Sequence, residues 1–187
     1  VSTLISSSPT MVYFGQEVGE AGNENAGFGT HSRTSIFDYV GVPNHQKWMN
    51  GGKFDGGQLS KEQKELRDFY KRLLNFSINS SALMGKFKEI QSSNRDKTEG
   101  YDPGIYSFVR WSDSEKLLVV TNFSWLTTSS FELKVPAEVI SQWKLKDGNY
   151  DLKDQLYNQS KVTLRVENGV GKINLVLKPL ESFVYKM

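Results

Sequence analysis

The chain has 187 residues and a formal net charge of +2, with 37% hydrophobic, 12% aromatic and 24% charged residues. That length fits one ordinary domain plus an extension and is too short for a complete eight-stranded α/β barrel with anything attached, while the near-neutral charge argues against a nucleic-acid groove or an anionic membrane surface as partner. The absence of cysteine excludes disulfides, thiolate catalysis and cysteine-ligated zinc, and leaves the compartment open.

Val1 to Pro9 has neither a basic n-region nor a long apolar core, and no run in the chain approaches the ~20 apolar residues of a membrane span. Met11 to Phe14 is a short apolar run closed by Gly15 and Gly19. It predicts a buried strand that leaves an interior and puts Gln16 and Glu17 at its carboxyl end, where barrel enzymes keep their chemistry. From Gly19 to Gly57 the sequence is rich in Gly and Asn and sustains no period of 3.6 or 2, so it reads as one long irregular loop of a kind that is usually functional. Ser60-Lys61-Glu62-Gln63 fits a capping box, with Ser60 at the N-cap. The helix it opens ends near Ile78 and gathers Leu66, Phe69, Tyr70, Leu73 and Leu74 on one face.

Beyond Gly85 the rhythm becomes that of short β runs. Phe87 to Gln91, Ile105 to Trp111 and Lys116 to Phe123 come first, the last two joined by the turn Ser112-Asp113-Ser114-Glu115. Phe131 to Val135 alternates cleanly and is ended by Pro136. Strands are expected at Trp143 to Leu145 and at Tyr150 to Leu152, around Asp147-Gly148-Asn149. Val162 to Val166 alternates up to the tight-turn dipeptide Asn168-Gly169, and Ile173 to Leu177 and Ser182 to Tyr185 finish the chain. Roughly eight short strands with turns about every 8–12 residues predict a mainly β fold, an antiparallel Greek-key-like β-sandwich with one core.

The string Pro9-Thr10-Met11-Val12-Tyr13-Phe14-Gly15-Gln16-Glu17-Val18-Gly19, followed by Arg33-Thr34-Ser35-Ile36-Phe37-Asp38-Tyr39, closely resembles the last barrel strand and following loop of the α-amylase family of glycoside hydrolases. Ser80-Ser81-Ala82-Leu83 with Gly85 resembles that family's lead into its C-terminal domain, with Ser81 where the family has Pro. The resemblance implies that residues 1–79 are a remnant of a (β/α)8 barrel, holding its last strand, a long loop and its last helix. Residues 80–187 would then be the all-β domain that closes such enzymes. It implies a parent enzyme acting on α-glucans such as starch or maltooligosaccharides, whose other partner is the missing barrel portion of the same polypeptide. Nucleic acid and a membrane span are not expected. The family's nucleophile Asp, acid/base Glu and third Asp lie on earlier strands, so this chain alone is expected to be inactive. No cofactor is expected in it, because the family's calcium ligands are usually upstream. Relatives that degrade carbohydrate are often exported, whether secreted, periplasmic or on the cell surface.

Glycoside hydrolysis needs two carboxyl groups about 5–5.5 Å apart for retention of configuration, and Glu17 and Asp38 are the pair that invites this reading. Structural roles at a strand end are expected of both, since a carboxylate there accepts loop amide hydrogens. Arg33 matches the Arg that opens the family's post-strand segment, which makes it either an active-site wall residue or one half of a structural salt bridge. The only imidazoles are His31 and His45; neither corresponds to the family's substrate-binding His, and His31 with Asn23, Glu24 and Asp38 matches no ligand spacing. Sugar binding relies on aromatic faces, which singles out Trp48, beside Phe54 and Asn44, His45 and Gln46 in the loop that lines the substrate cleft. Gln16, Glu17, Arg33 and Trp48 are thus the substrate-binding residues expected in an intact enzyme. Trp111 and Trp125 stand near strand ends, where each is expected to fill core or edge. If they were exposed instead, the β domain would be an accessory or stand-alone carbohydrate-binding module, and a chain with a native start near Val1 would be a separate interaction protein.

Overall fold

The computed structural model describes residues 1–20, 42–157 and 160–187. They divide into two compact units, one of Val1–Ser8 with Asn75–Met187 and one of Pro9–Leu74.

The first, the β unit, is built on strands β1 (Lys86–Glu89), β2 (Ile105–Trp111), β3 (Lys116–Asn122), β4 (Ser129–Val135), β5 (Gly148–Asp154), β6 (Lys161–Glu167), β7 (Val170–Leu177) and β8 (Ser182–Lys186). All eight join one sheet in the order β1-β2-β3-β8-β5-β6-β7-β4, and every pairing is antiparallel. The chain leaves β3 for the far edge at β4, comes back to the centre with β5, runs outward through β6 and β7, and closes with β8 between β3 and β5, the crossing pattern of a Greek key. A single core gathers Ile105, Val109 and Leu118 from one end of the sheet with Phe131, Leu133 and Leu175 from the other, so the sheet curls until its ends face each other. Tyr101 and Phe131 meet edge to face across this closure, with ring centroids 5.1 Å apart. Only glycine fits at position 100: φ is +76°, and a Cβ would stand 2.1 Å from the Ser130 carbonyl oxygen.

Strands β4, β6 and β7 alternate buried and exposed residues, as their sequences predict. Asn168 and Gly169, at φ 50° and 73°, form the tight turn between β6 and β7. In β2 and β3 both faces are buried: Phe108, Leu117 and Val119 on the second face are as inaccessible as Ile105, Val109 and Leu118 on the first. This explains their near-continuous apolar runs. Arg110 lies on that second face, 2% exposed. The short helix α1 (Ser2–Ile5) places Leu4 in the same unit, also buried.

The strand expected at Trp143 to Leu145 is instead the end of a helix, α2 (Ala137–Gln142), with Trp143 as its C-cap. Pro136 opens it, its carbonyl accepting from the N–H groups of Val139 and Ile140 at 2.9 and 3.1 Å. A proline there loses nothing, because the first helical N–H groups have no partner within the helix. Val139, Ile140 and Trp143 pack into the core from this one turn.

The other unit is helical. The run expected as a buried strand, Met11 to Phe14, forms none, and Met11 is 86% exposed. A strand without hydrogen-bonded neighbours would leave both edges unpaired, and the chain turns instead, closing a 3₁₀ turn at Gln16–Val18. The loop expected from Gly19 to Gly57 contains a helix, α3 (Pro43–Met49), started by proline and ended by Asn50 at φ 47°. The capping box is formed: Ser60 N donates to Gln63 Oε1 at 3.0 Å and Gln63 N to Ser60 Oγ at 3.3 Å. It opens α4 (Lys61–Asn79), whose residues Leu66, Phe69, Tyr70, Leu73 and Leu74 are all half-buried. None of the described helices is long and apolar enough to cross a membrane.

Candidate functional site

The helical unit assembles an aromatic cluster from residues that are far apart in a sequence reading. The Glu20 carboxylate accepts from the N–H groups of Asn44 and His45, both at 3.0 Å, and Asn44 Nδ2 donates to the Gly19 carbonyl at 2.9 Å. These bonds satisfy amides at the start of α3 that have no helical partner and tie the helix to the turn before it. His45 and Trp48 then stand three residues apart on one side of α3, their rings 5.5 Å apart. Phe14 lies 4.5 Å from His45, Phe54 packs edge-on to Trp48 at 5.8 Å, and the Arg67 guanidinium sits over the Trp48 ring at 4.8 Å. That last contact is a cation–π pair.

Beside the cluster is a cavity of about 650 Å³, lined by Phe14, Val42, His45, Gln46, Met49 and Gln58 among others. His45 Nδ1 is buried without a hydrogen-bond partner. A mostly apolar wall with a few amide and imidazole groups suits a neutral ligand with both CH and hydroxyl surface. No carboxylate lines the cavity among the described residues. Nor do the described residues hold any cluster of three or more His, Asp or Glu able to bind a metal.

Of the residues expected to contact substrate, Trp48 is at the centre of this cluster. Gln16 is exposed and its side-chain oxygen accepts from Tyr13 N at 3.1 Å, which tightens the local turn. Glu17 is half-buried in the same turn. Arg33 lies outside the described residues, as do Asp38, His31, Asn23 and Glu24. Sequence reasoning missed Glu20 and Arg67. The signal for Glu20 was Pro43 at the start of a helix whose amides need an acceptor; nothing in the sequence points Arg67 at Trp48.

In the β unit Trp111 and Trp143 are core residues, 8% and 3% exposed, so neither offers a face to sugar. Trp125 is the opposite case: expected to fill core or edge, it is 79% exposed.

Residues 96–187 match the family described as alpha amylase, C-terminal all-beta domain. No curated protein sequence matches the chain. Among solved structures, AmyP in complex with maltose has a TM-score of 0.59 at 18% identity, over 99% of this chain and 32% of that one. A MutB mutant from crystals soaked with trehalulose has a TM-score of 0.50 at 16% identity, over 100% of this chain and 37% of that one. The chain therefore spans about a third of the length of these structures, and at such identities the likeness is one of fold. Taken with the eight-stranded antiparallel sheet, this shows that the chain carries the C-terminal all-β domain of the α-amylase family of glycoside hydrolases.

Proposed function

We propose that the chain is the carboxyl-terminal portion of an α-amylase-like enzyme that acts on α-glucans, starch or maltooligosaccharides, in carbohydrate metabolism. The observation that carries this reading is the curled eight-stranded sheet, matched by the family's C-terminal domain over residues 96–187. In this reading the portion itself is non-catalytic, because the acid, the nucleophile and the third carboxylate come from elsewhere in the polypeptide. Gln16, Glu17, Arg33 and Trp48 face the substrate in the intact enzyme, and the aromatic wall around Trp48 supports that role for one of them. The β domain's task is to stabilise the barrel. In support, the apolar stripe of α4 from Leu66 to Leu74 is only half-buried, which leaves apolar surface for further barrel elements to cover. No cofactor is assigned to these residues, and any calcium is held by others.

The coding DNA upstream of the Val1 codon tests the proposal. We expect an open frame supplying further barrel strands, with an Asp, a Glu and a second Asp at their carboxyl ends, and a full-length product that releases maltooligosaccharides from starch. A start codon directly before Val1 overturns the reading.

A further inference from the structure

The β unit carries an exposed apolar cluster that its own fold leaves unused. Phe123, Trp125 and Leu126 in the loop between β3 and β4 are 58%, 79% and 87% exposed, and Leu180 in the turn between β7 and β8 is 64% exposed. The two segments are held side by side, since Leu180 N donates to the Ser124 carbonyl at 2.9 Å. A group of large apolar side chains presented to water in this way marks an interaction site.

The loop is fixed rather than loose. Asn122, 1% exposed, donates through Nδ2 to the carbonyls of Thr127 at 2.8 Å and Lys178 at 3.1 Å, and its Oδ1 accepts from Ser124 N at 2.9 Å. Ser124 Oγ in turn accepts from Thr127 N at 3.0 Å and Leu126 N at 3.3 Å, and Phe123 N donates to the Gly104 carbonyl at 2.9 Å. The backbone on both sides of Trp125 is therefore set before any ligand arrives, which lowers the ordering cost of binding. Among the described residues no ring or cation engages the Trp125 indole, in contrast to Trp48 under Arg67.

The chemistry of the segment narrows the occupant. From Thr121 to Phe131 the chain has no charged residue, and beside its aromatic and aliphatic groups it presents exposed hydroxyls on Thr127, Thr128 and Ser130, with Ser124 half-buried between them. The neighbouring turn adds one charge of each sign, Lys178 and Glu181, with Glu181 Oε2 occupied in accepting from Lys178 N at 2.8 Å. The loop itself thus offers no charge to complement an anionic or cationic partner. It does complement a pyranose, because its CH face stacks on an indole while its hydroxyls bond to neutral oxygens.

We propose that the Phe123–Thr128 loop with Leu180 is a second sugar-binding surface, centred on Trp125, that binds an α-glucan chain without the residues of the Trp48 cluster. That the sugar is an α-glucan rests on the function proposed above. The test is affinity electrophoresis of the 187-residue chain in gels containing soluble starch, with a β-linked glucan in parallel and sedimentation to follow the oligomeric state. Starch retards the wild type; Trp125→Ala weakens binding about tenfold or more with an unchanged thermal transition, and Trp48→Ala leaves this binding in place. Unretarded wild type overturns the proposal. Retardation that survives Trp125→Ala and disappears with Trp48→Ala overturns this surface while leaving the α-glucan reading standing. Trp125-dependent binding to the β-linked glucan alone overturns the α-glucan assignment here and in the function proposed above. A dimer that Trp125→Ala dissociates, with no effect of starch, makes the occupant a second copy and likewise overturns the proposal.

Discussion

Arg110 is a buried cation that no carboxylate meets among the described residues. Its Nη1 donates to the Ile5 carbonyl at 3.0 Å and the Leu4 carbonyl at 3.5 Å, its Nη2 donates to Leu83 and to Gly85 at 3.4 Å, and its Cζ lies 6.0 Å from the Phe87 ring centroid. Burial lowers the guanidinium pKa from its ordinary value, and the group stays charged at any working pH because that value is so high. One planar fork thus fastens the amino-terminal segment and the lead into β1 onto the second face of β2. Arg110→Met leaves four carbonyls without this donor and is expected to cost about 2–3 kcal/mol in urea unfolding. Arg110→Lys is expected to recover only part of that, since an ammonium cannot present the same fork. A lysine variant as stable as wild type would show that charge alone, and not the geometry of the fork, holds the segment. Nothing in Ile105 to Trp111 foretold this role, because an arginine in an alternating strand reads as a residue facing water.

At the scale of elements, what was legible in the sequence depended on how much of each signal lay within the element itself. β2 keeps its expected bounds, Ile105–Trp111, because seven apolar-rich residues buried on both faces need only neighbouring strands that this chain supplies. α4 was legible from its capping box and its 3.6-residue stripe. α2 was not, because six residues give less than two turns of period and Val139, Ile140 and Trp143 fit a strand or a helix equally well. Met11 to Phe14 was misread for a different reason: an apolar run becomes a strand only beside a hydrogen-bonded neighbour, and among the described residues it has none. The candidate site was legible at Trp48, a large ring among polar neighbours, but not at Glu20 or Arg67, which only the folding of the segment brings to it. The capping box also supports a prediction. Ser60→Ala removes the acceptor for Gln63 N and the donor to Glu62 Oε2, 2.8 Å away, and is expected to loosen the first turn of α4 by about 1 kcal/mol. Amide hydrogen exchange checks it: Gln63 and Lys64 exchange roughly fivefold faster in the variant, while rates in β2 and β3 stay unchanged. Equal rates at Gln63 would mean the box contributes nothing to the start of the helix.

For the whole molecule, the wording that resembles α-amylases lies in Pro9–Tyr39 and Ser80–Gly85, whereas the domain match begins at residue 96, so the two lines of inference rest on different residues. The curled sheet that carries the match also sets how the β unit responds to pH, because its closure puts ionisable groups out of water. Glu115 is 5% exposed. Burial by itself would raise its pKa, but the N–H of Ala82 at 2.9 Å, the Lys186 ammonium at 2.6 Å and the Ser80 hydroxyl at 2.7 Å together hold it below the ordinary value of 4.5. Its contribution is therefore complete above about pH 4.5 and is lost as pH falls through the lower folded value. Tyr101 acts at the other limit. Burial pushes its phenol up to about 12 from 10.0, against the opposing effect of its hydrogen bond with Ser107, and burial raises Tyr185 further, helped by Asp154 and Glu181. Above pH 10 the unfolded chain sheds protons that the folded one keeps, so stability falls with rising pH, by up to roughly 1.4 kcal/mol per pH unit for each tyrosine. Urea midpoints from pH 3 to pH 11 are thus expected to form a plateau from about pH 5 to pH 10 with a falling limb on each side. Glu115→Gln shallows the acid limb and lowers the plateau by about 1–3 kcal/mol, because the Ala82 N–H and Lys186 lose a charged acceptor. Tyr101→Phe costs about 1 kcal/mol on the plateau, through the lost bond to Ser107, yet flattens the alkaline limb. A Tyr101→Phe curve that runs parallel to wild type above pH 10 would mean that the curled closure does not keep this phenol from water. The faces of β2 and β4 would then be open to solvent where the Tyr101 and Phe131 rings meet.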